Sequence, residues 1–135
     1  MIDICKTENT MKKILVVDDE TDVEPLFQQR FRKEIRNGWV TFAFAHSGEE
    51  ALQYLNGHDR EAVLILSDIN MPGMSGIELL KEIKQHHYSP PPVVMMITAY
   101  GDEENYTNAI KLGADDFLTK PLDFTLLKEK LKITD

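Results

Sequence analysis

The feature that most constrains this chain is a regular alternation of short apolar runs with longer amphipathic segments. Ile14-Leu15-Val16-Val17, Val63-Leu64-Ile65-Leu66 and Val93-Val94-Met95-Met96-Ile97 are each too short for a helix and lack polar alternation. That is the pattern of strands covered on both faces in a parallel sheet. Val40 to Ala45 and Asp116 to Thr119 are two weaker strands, which makes five. Between the strands lie helical patterns with recognisable starts. Thr21 with Glu24, Ser47 with Glu50 and Ser75 with Glu78 all have capping-box spacing, in which a hydroxyl and a carboxylate reciprocally satisfy free backbone N–H groups.

The first helical segment sets Val23, Leu26, Phe27, Phe31 and Ile35 on one face, and the third sets Ile77, Leu80 and Ile83 together. Pro25 fits the first helix in its opening turn and otherwise predicts a kink. A fourth helix begins near Asp102 and ends at Gly113 in a left-handed cap, and a fifth runs from Phe124 to Leu131. Strict β-α alternation implies a doubly wound α/β sandwich with right-handed crossovers. With 135 residues the chain is one domain, large enough for a core without disulfides or a structural metal. Pro90-Pro91-Pro92 reads as a stiff entry into the fourth strand, not as a domain boundary.

Charge and composition remove several function classes. A formal net charge of -8 argues against nucleic-acid binding by this domain, because neutralising phosphates needs a basic surface. No stretch is apolar enough to cross a bilayer, and the first ten residues lack the basic start and apolar run of a secretory signal. The expected location is the cytoplasm, with no membrane contact. Cys5, the single cysteine, has no partner pattern for a disulfide, zinc or redox chemistry.

In open α/β sheets the binding crevice lies outside the carboxyl ends of the strands. The first strand ends in Asp18-Asp19-Glu20, the third in Asp68, the fourth in Thr98 and the fifth in Lys120-Pro121. Singly, each has an ordinary reading as a cap, a strand residue or a solvated charge. Together they crowd three acids, a hydroxyl and an amine into one crevice. Packed carboxylates repel and call for positive charge, and a set of oxygen donors without cysteine or histidine favours Mg²⁺ beside a phosphate. Lys120 adds a mobile point charge for a phosphate oxygen, and Thr98 adds a donor.

The segments ILVVDDE, LILSDINMPGMSGIELL, MMITAYG and GADDFLTKPLD, in this order and spacing, closely resemble the receiver domains of two-component response regulators. The likeness covers nearly all the chain after Met11. It implies a flavodoxin-like (βα)5 sandwich with a five-stranded parallel sheet in order 2-1-3-4-5, a receiver domain over residues 11–135 and a mobile N-terminal extension over 1–10. It implies that Asp68 is the phosphoacceptor, because Asp68, Met71, Pro72 and Gly76 match the DxxMPxxxG pattern. Asp19 and Asp68 would bind Mg²⁺ directly, Asn70 through its backbone carbonyl and Asp18 through water, with Mn²⁺ or Ca²⁺ able to substitute. Thr98 and Phe117 match the switch pair, Lys120 the catalytic lysine, and the Lys120-Pro121 bond is expected to be cis.

The resemblance further implies a sensor histidine kinase or histidine phosphotransfer protein as donor, and an unknown output domain or effector as recipient of the signal. Phosphorylation would alter the surface of the fourth helix, fifth strand and fifth helix; a homodimer through that surface or another receiver face is compatible with the resemblance, which leaves the oligomeric state open. The domain would be a regulatory phosphoacceptor that catalyses its own phosphotransfer and dephosphorylation, not an enzyme with turnover. Asn70 and Tyr100 match the positions that tune hydrolysis, where a bulky Tyr100 would either shield the aspartyl phosphate or simply pack on the surface. A haloacid-dehalogenase-type phosphatase is the main rival, but its general acid two residues past the nucleophile would fall on Asn70, which cannot serve. A receiver-like scaffold that is never phosphorylated is the second; the intact set Asp19, Asp68, Thr98 and Lys120 argues against it.

Overall fold

The computed structural model describes residues 12–58, 63–89, 91–99 and 101–133. Five strands, β1 (Lys12–Val17), β2 (Val40–Ala45), β3 (Val63–Asp68), β4 (Val93–Thr98) and β5 (Asp116–Thr119), form one sheet in the order β2-β1-β3-β4-β5. Every pairing is parallel. The intervening helices are α1, in two segments (Val23–Arg30 and Arg32–Arg36), α2 (Gly48–Gly57), α3 (Gly76–His86), α4 (Glu103–Lys111) and α5 (Phe124–Leu131). The expected flavodoxin-like sandwich and strand order are therefore what the chain adopts. Residues 1–10, the expected mobile extension, lie outside the described residues.

The unbroken apolar runs are explained by cover on both faces. Leu15, Val17, Ile65, Val94 and Met96 pack with Ala51, Leu55, Leu79, Leu80, Ile83 and Ala109 from α2, α3 and α4. Their strand neighbours Ile14, Val16, Leu66, Met95, Ile97 and Leu118 face the other way, onto Phe27 and Phe31 of the α1 region and Leu127 and Leu131 of α5. A period of two thus persists, but both phases are apolar because both are buried. On the α1 side the rings of Phe27, Phe31, Phe42 and Phe124 lie 4.9 to 6.0 Å apart in mostly edge-to-face contacts, tying α1 to β2 and α5.

Helix starts depart from the expected caps in an informative way. Ser75 and Glu78 form the full capping box, whereas Ser47 accepts from the Glu50 N–H and the Glu50 carboxylate instead takes the N–H of His46. The Thr21–Glu24 box does not form. Asp22 is the N-cap of α1 without a side-chain bond, and the Glu24 carboxylate is drawn to His46 at 2.6 Å. Pro25 sits in the first turn and causes no kink; the break in α1 falls at Phe31, where backbone bonds Phe31 N–H to Phe27 O and Ile35 N–H to Phe31 O carry the chain through. Leu26 and Ile35, expected on the buried face of α1, are exposed, and the contact stripe is carried by Phe27 and Phe31 with Val23 packed beside them. The fourth and fifth helices agree with expectation, including Gly113 at φ +95° beyond α4.

One glycine fixes the approach of α3 to the end of β3. A Cβ on Gly76 would lie 2.3 Å from the Asp68 carbonyl oxygen and 2.8 Å from Ile69 Cα, and the Gly76 N–H donates to the Ile69 carbonyl at 2.8 Å. Both obstructing atoms are backbone, so only a shift of the helix relieves them. Gly76→Ala is expected to destabilise the domain by about 1–3 kcal/mol, read as a lower denaturation midpoint at unchanged m-value. An unchanged midpoint contradicts the close approach.

Candidate functional site

Parallel strands deliver their carboxyl ends to one edge, and the change in winding direction falls between β1 and β3, which pair directly. Loops leaving these two strands diverge to opposite faces and leave a crevice. Asp18 follows β1 and is anchored there by its N–H to the Ala45 carbonyl at 3.0 Å. Asp68 is the last residue of β3, in register with Ile97, and Thr98 follows one step further along β4 beside Thr119. The Lys120 N–H donates to the Thr98 carbonyl at 2.9 Å, which sets the lysine at the rim, and the Lys120-Pro121 bond is cis as the resemblance implies.

The side chains converge. One carboxylate oxygen from each of Asp18, Asp19 and Asp68 lies within 4.8 Å of the others. Asp68 is 2% exposed, Asp18 is buried and Asp19 faces solvent. The Lys120 ammonium donates to Asp68 Oδ2 at 2.8 Å, and the Asn70 N–H approaches Asp68 Oδ1 at 3.3 Å. Asp18 Oδ1 takes the Glu20 N–H at 2.9 Å. Burial pushes the Asp18 carboxyl above its ordinary range; the Glu20 N–H opposes this, the Asp68 charge adds to it and Lys120 counters it. Partial burial works to lower the Lys120 pKa, but the hydrogen bond and charge of Asp68 outweigh it, so the ammonium is held more firmly than usual.

The donor set fits a hard divalent cation. Its atoms are all oxygens, they are clustered, one group is exposed enough to admit an ion, and among the described residues Lys120 is the one ammonium in contact with the acids. Zinc or copper would want nitrogen or sulfur, and neither is among these donors.

Thr98 is buried at the crevice, and Phe117 on β5 is half-buried with its ring 4.5 Å from that of Tyr106 on α4. The sheet thus brings Asp18, Asp19, Asp68, Asn70, Thr98 and Lys120 to one edge, with Phe117 set back on β5. Tyr100 lies outside the described residues. Two participants escape a reading confined to the ends of the first, third, fourth and fifth strands. His46, immediately after β2, contacts the Asp18 carbonyl and Glu24, and Tyr106 covers Phe117. His46 was within reach, because the second strand also delivers its end to this edge.

Residues 14–132 match the profile of the response regulator receiver domain. The chain belongs to this family. The receiver is 41% identical over 113 residues to the transcriptional regulatory protein CpxR of Klebsiella pneumoniae, covering 84% of this chain and 44% of that protein. It is 41% identical over 122 residues to the transcriptional regulatory protein ZraR of Escherichia coli, covering 88% of this chain and 25% of the relative. It therefore spans less than half the length of these curated relatives. A solved receiver domain protein of Clostridium thermocellum superposes with a TM-score of 0.77 at 28% identity, covering 90% of this chain and 91% of the other. Among the described residues no helix is long and apolar enough to cross a membrane.

The receiver's acid cluster has a cost that pH and substitution can expose. An Asp18 carboxyl raised in the folded state disfavours folding when ionised; that penalty is present near neutrality and disappears as pH falls through the raised value toward the unfolded one. With chelator present, Asp18→Asn, which keeps an acceptor for the Glu20 N–H, is expected to melt above the parent near neutral pH. The gain should shrink in acid. A lower melting temperature for the variant near neutrality contradicts this electrostatic account.

Proposed function

We propose that this receiver domain, over residues 11–135, takes a phosphoryl group onto Asp68 in a Mg²⁺-dependent reaction and relays that charge to its surface. The observation that carries the reading is the Lys120 ammonium at 2.8 Å from a buried Asp68 carboxylate, inside a group of three acids with oxygen donors only. Asp19, Asp68 and the Asn70 carbonyl would hold the metal, with Asp18 acting through water. When bound, Mg²⁺ supplies positive charge to the phosphoryl oxygens.

The chain's own residues do the rest by position and charge. One Asp68 oxygen attacks phosphorus as the bond from phosphorus to the donor's histidine nitrogen breaks, and the electron pair leaves with that nitrogen. Lys120 then shifts its contact from the carboxylate toward a phosphoryl oxygen, where negative charge accumulates. Its ammonium, charged already at the ordinary lysine pKa and held more firmly by Asp68, is available for this purpose. The donor is a sensor histidine kinase or a histidine phosphotransfer protein, in the cytoplasm.

Thr98 and Phe117 form the readout. The Thr98 hydroxyl turns to the new phosphoryl group, the space it vacates admits the Phe117 ring, and the surface of α4, β5 and α5 changes. That surface acts on an output domain, an effector or a second receiver. Hydrolysis of the aspartyl phosphate is tuned at Asn70 and Tyr100, the tyrosine slowing access of water.

Incubation with acetyl phosphate and Mg²⁺, followed by intact-protein mass, is expected to show one added phosphoryl group on the parent and none on Asp68→Asn. Lys120→Met should remain competent for slow labelling, reduced by about 10²-fold in rate. Equal labelling of Asp68→Asn overturns the assignment.

A further inference from the structure

We infer that His46 is a positioning residue for the acidic pair, bracing the turn after β1 so that Asp18 and Asp19 keep the spacing a divalent cation needs. This deepens the proposed Mg²⁺-dependent reading and rests on it. His46 joins three elements, two through its ring and one through its backbone. The imidazole Nδ1 lies 2.9 Å from the Asp18 carbonyl oxygen and Nε2 lies 2.6 Å from Oε2 of Glu24, in the first turn of α1. The backbone N–H of His46 donates to the Glu50 carboxylate in the first turn of α2 at 2.9 Å.

Both partners of the ring are acceptors, a carbonyl and a carboxylate, so each ring nitrogen serves as a donor. The Glu24 hydrogen bond, followed by the Asp18 carbonyl, holds the imidazole pKa above its usual value, in keeping with this arrangement. The Asp18 carbonyl belongs to the peptide group that joins Asp18 to Asp19. Fixing that plane limits how far the two carboxylates can rotate apart, while Asp18 N–H to Ala45 O pins the preceding peptide to β2. The backbone of Asp18 is thus held from the β2 side through both its N–H and its carbonyl. Glu24 orients the ring in the way a carboxylate behind a ligating histidine does, except that here the histidine orients a backbone group instead of touching the ion.

The geometry also explains the unformed Thr21–Glu24 capping box. Glu24 leaves the α1 N-terminus uncapped by side chains and commits its carboxylate to His46. A helix cap is given up for a contact that reaches the acid turn.

Calorimetric titration with MgCl₂, together with thermal melting in chelator, tests the inference on the parent, His46→Ala, His46→Asn and Glu24→Gln. A brace predicts that His46→Ala binds Mg²⁺ about tenfold more weakly. His46→Asn, whose side-chain amide can still donate to the Asp18 carbonyl, should recover much of that loss, and Glu24→Gln, which keeps an acceptor for the ring, should lose little. The sign separates the alternatives. If His46 mattered only as a nearby positive charge, its removal would tighten Mg²⁺ binding; if it were only a stabilising contact, melting would drop with affinity unchanged. Either result overturns the inference. Should His46→Ala not fold, no recovery of affinity in a folded His46→Asn relative to His46→Leu does the same. A parent protein that binds no Mg²⁺ overturns the proposed function itself, and is distinguished by that control.

Discussion

A carboxylate buried at the end of a parallel strand is unfavourable unless positive charge stands beside it, and here the Lys120 ammonium does so, 2.8 Å from Asp68. The contact joins residues 52 positions apart, across β3, β4 and the turn after β5. It exists only because the sheet order brings those strand ends together. One ammonium does not balance three acids, however, and the Asp18 carboxyl is raised, first by burial and further by the Asp68 charge. Three clustered carboxylates beside one ammonium leave a charge that a cation would balance, which is the part the proposed function gives to Mg²⁺.

The scaffold around the crevice is rigid where position matters. Both sheet faces are closed by apolar packing, so β1 and β3 cannot tilt without opening a core, and packed interiors resist such change. Gly76 lets α3 press against the Asp68 carbonyl, and the capping box of Ser75 and Glu78 holds the start of that helix. The side of α4 and β5, where the proposed readout lies, is built differently. Phe117 is half-buried beneath an exposed Tyr106, and α4 carries Ile110 at 50% exposure. Such exposure suits the change of surface that the proposed function assigns to this side.

Much of this was legible in the chain because its signals are strong and local. Apolar runs such as Val63 to Leu66 mark strands buried on both faces, and Asp18, Asp68, Thr98 and Lys120 fall directly after or at the ends of such runs. What stayed hidden depends on competition between partners. Glu24 has perfect capping spacing from Thr21, yet a histidine 22 residues away is the better partner, and no periodicity reveals that. Ile35 follows the helical stripe but lies past the break at Phe31 and is exposed. The Tyr106–Phe117 contact likewise depends on where α4 lies over β5, which residue spacing within α4 does not specify.

The central claim is that Asp18, Asp19 and Asp68 form one cation site at the carboxyl edge of the sheet. Substituting paramagnetic Mn²⁺ for Mg²⁺ and recording backbone amide spectra tests it most directly, because broadening falls steeply with distance from the ion. The account predicts that substoichiometric Mn²⁺ erases the signals of Asp18 to Glu20 and Asp68 to Asn70 first, leaves Lys13 and Val63 at the far end of the sheet sharp, and is reversed by excess Mg²⁺. Broadening centred instead on the acidic start of α4, at Asp102 to Glu104, or spread evenly over exposed carboxylates, would contradict it.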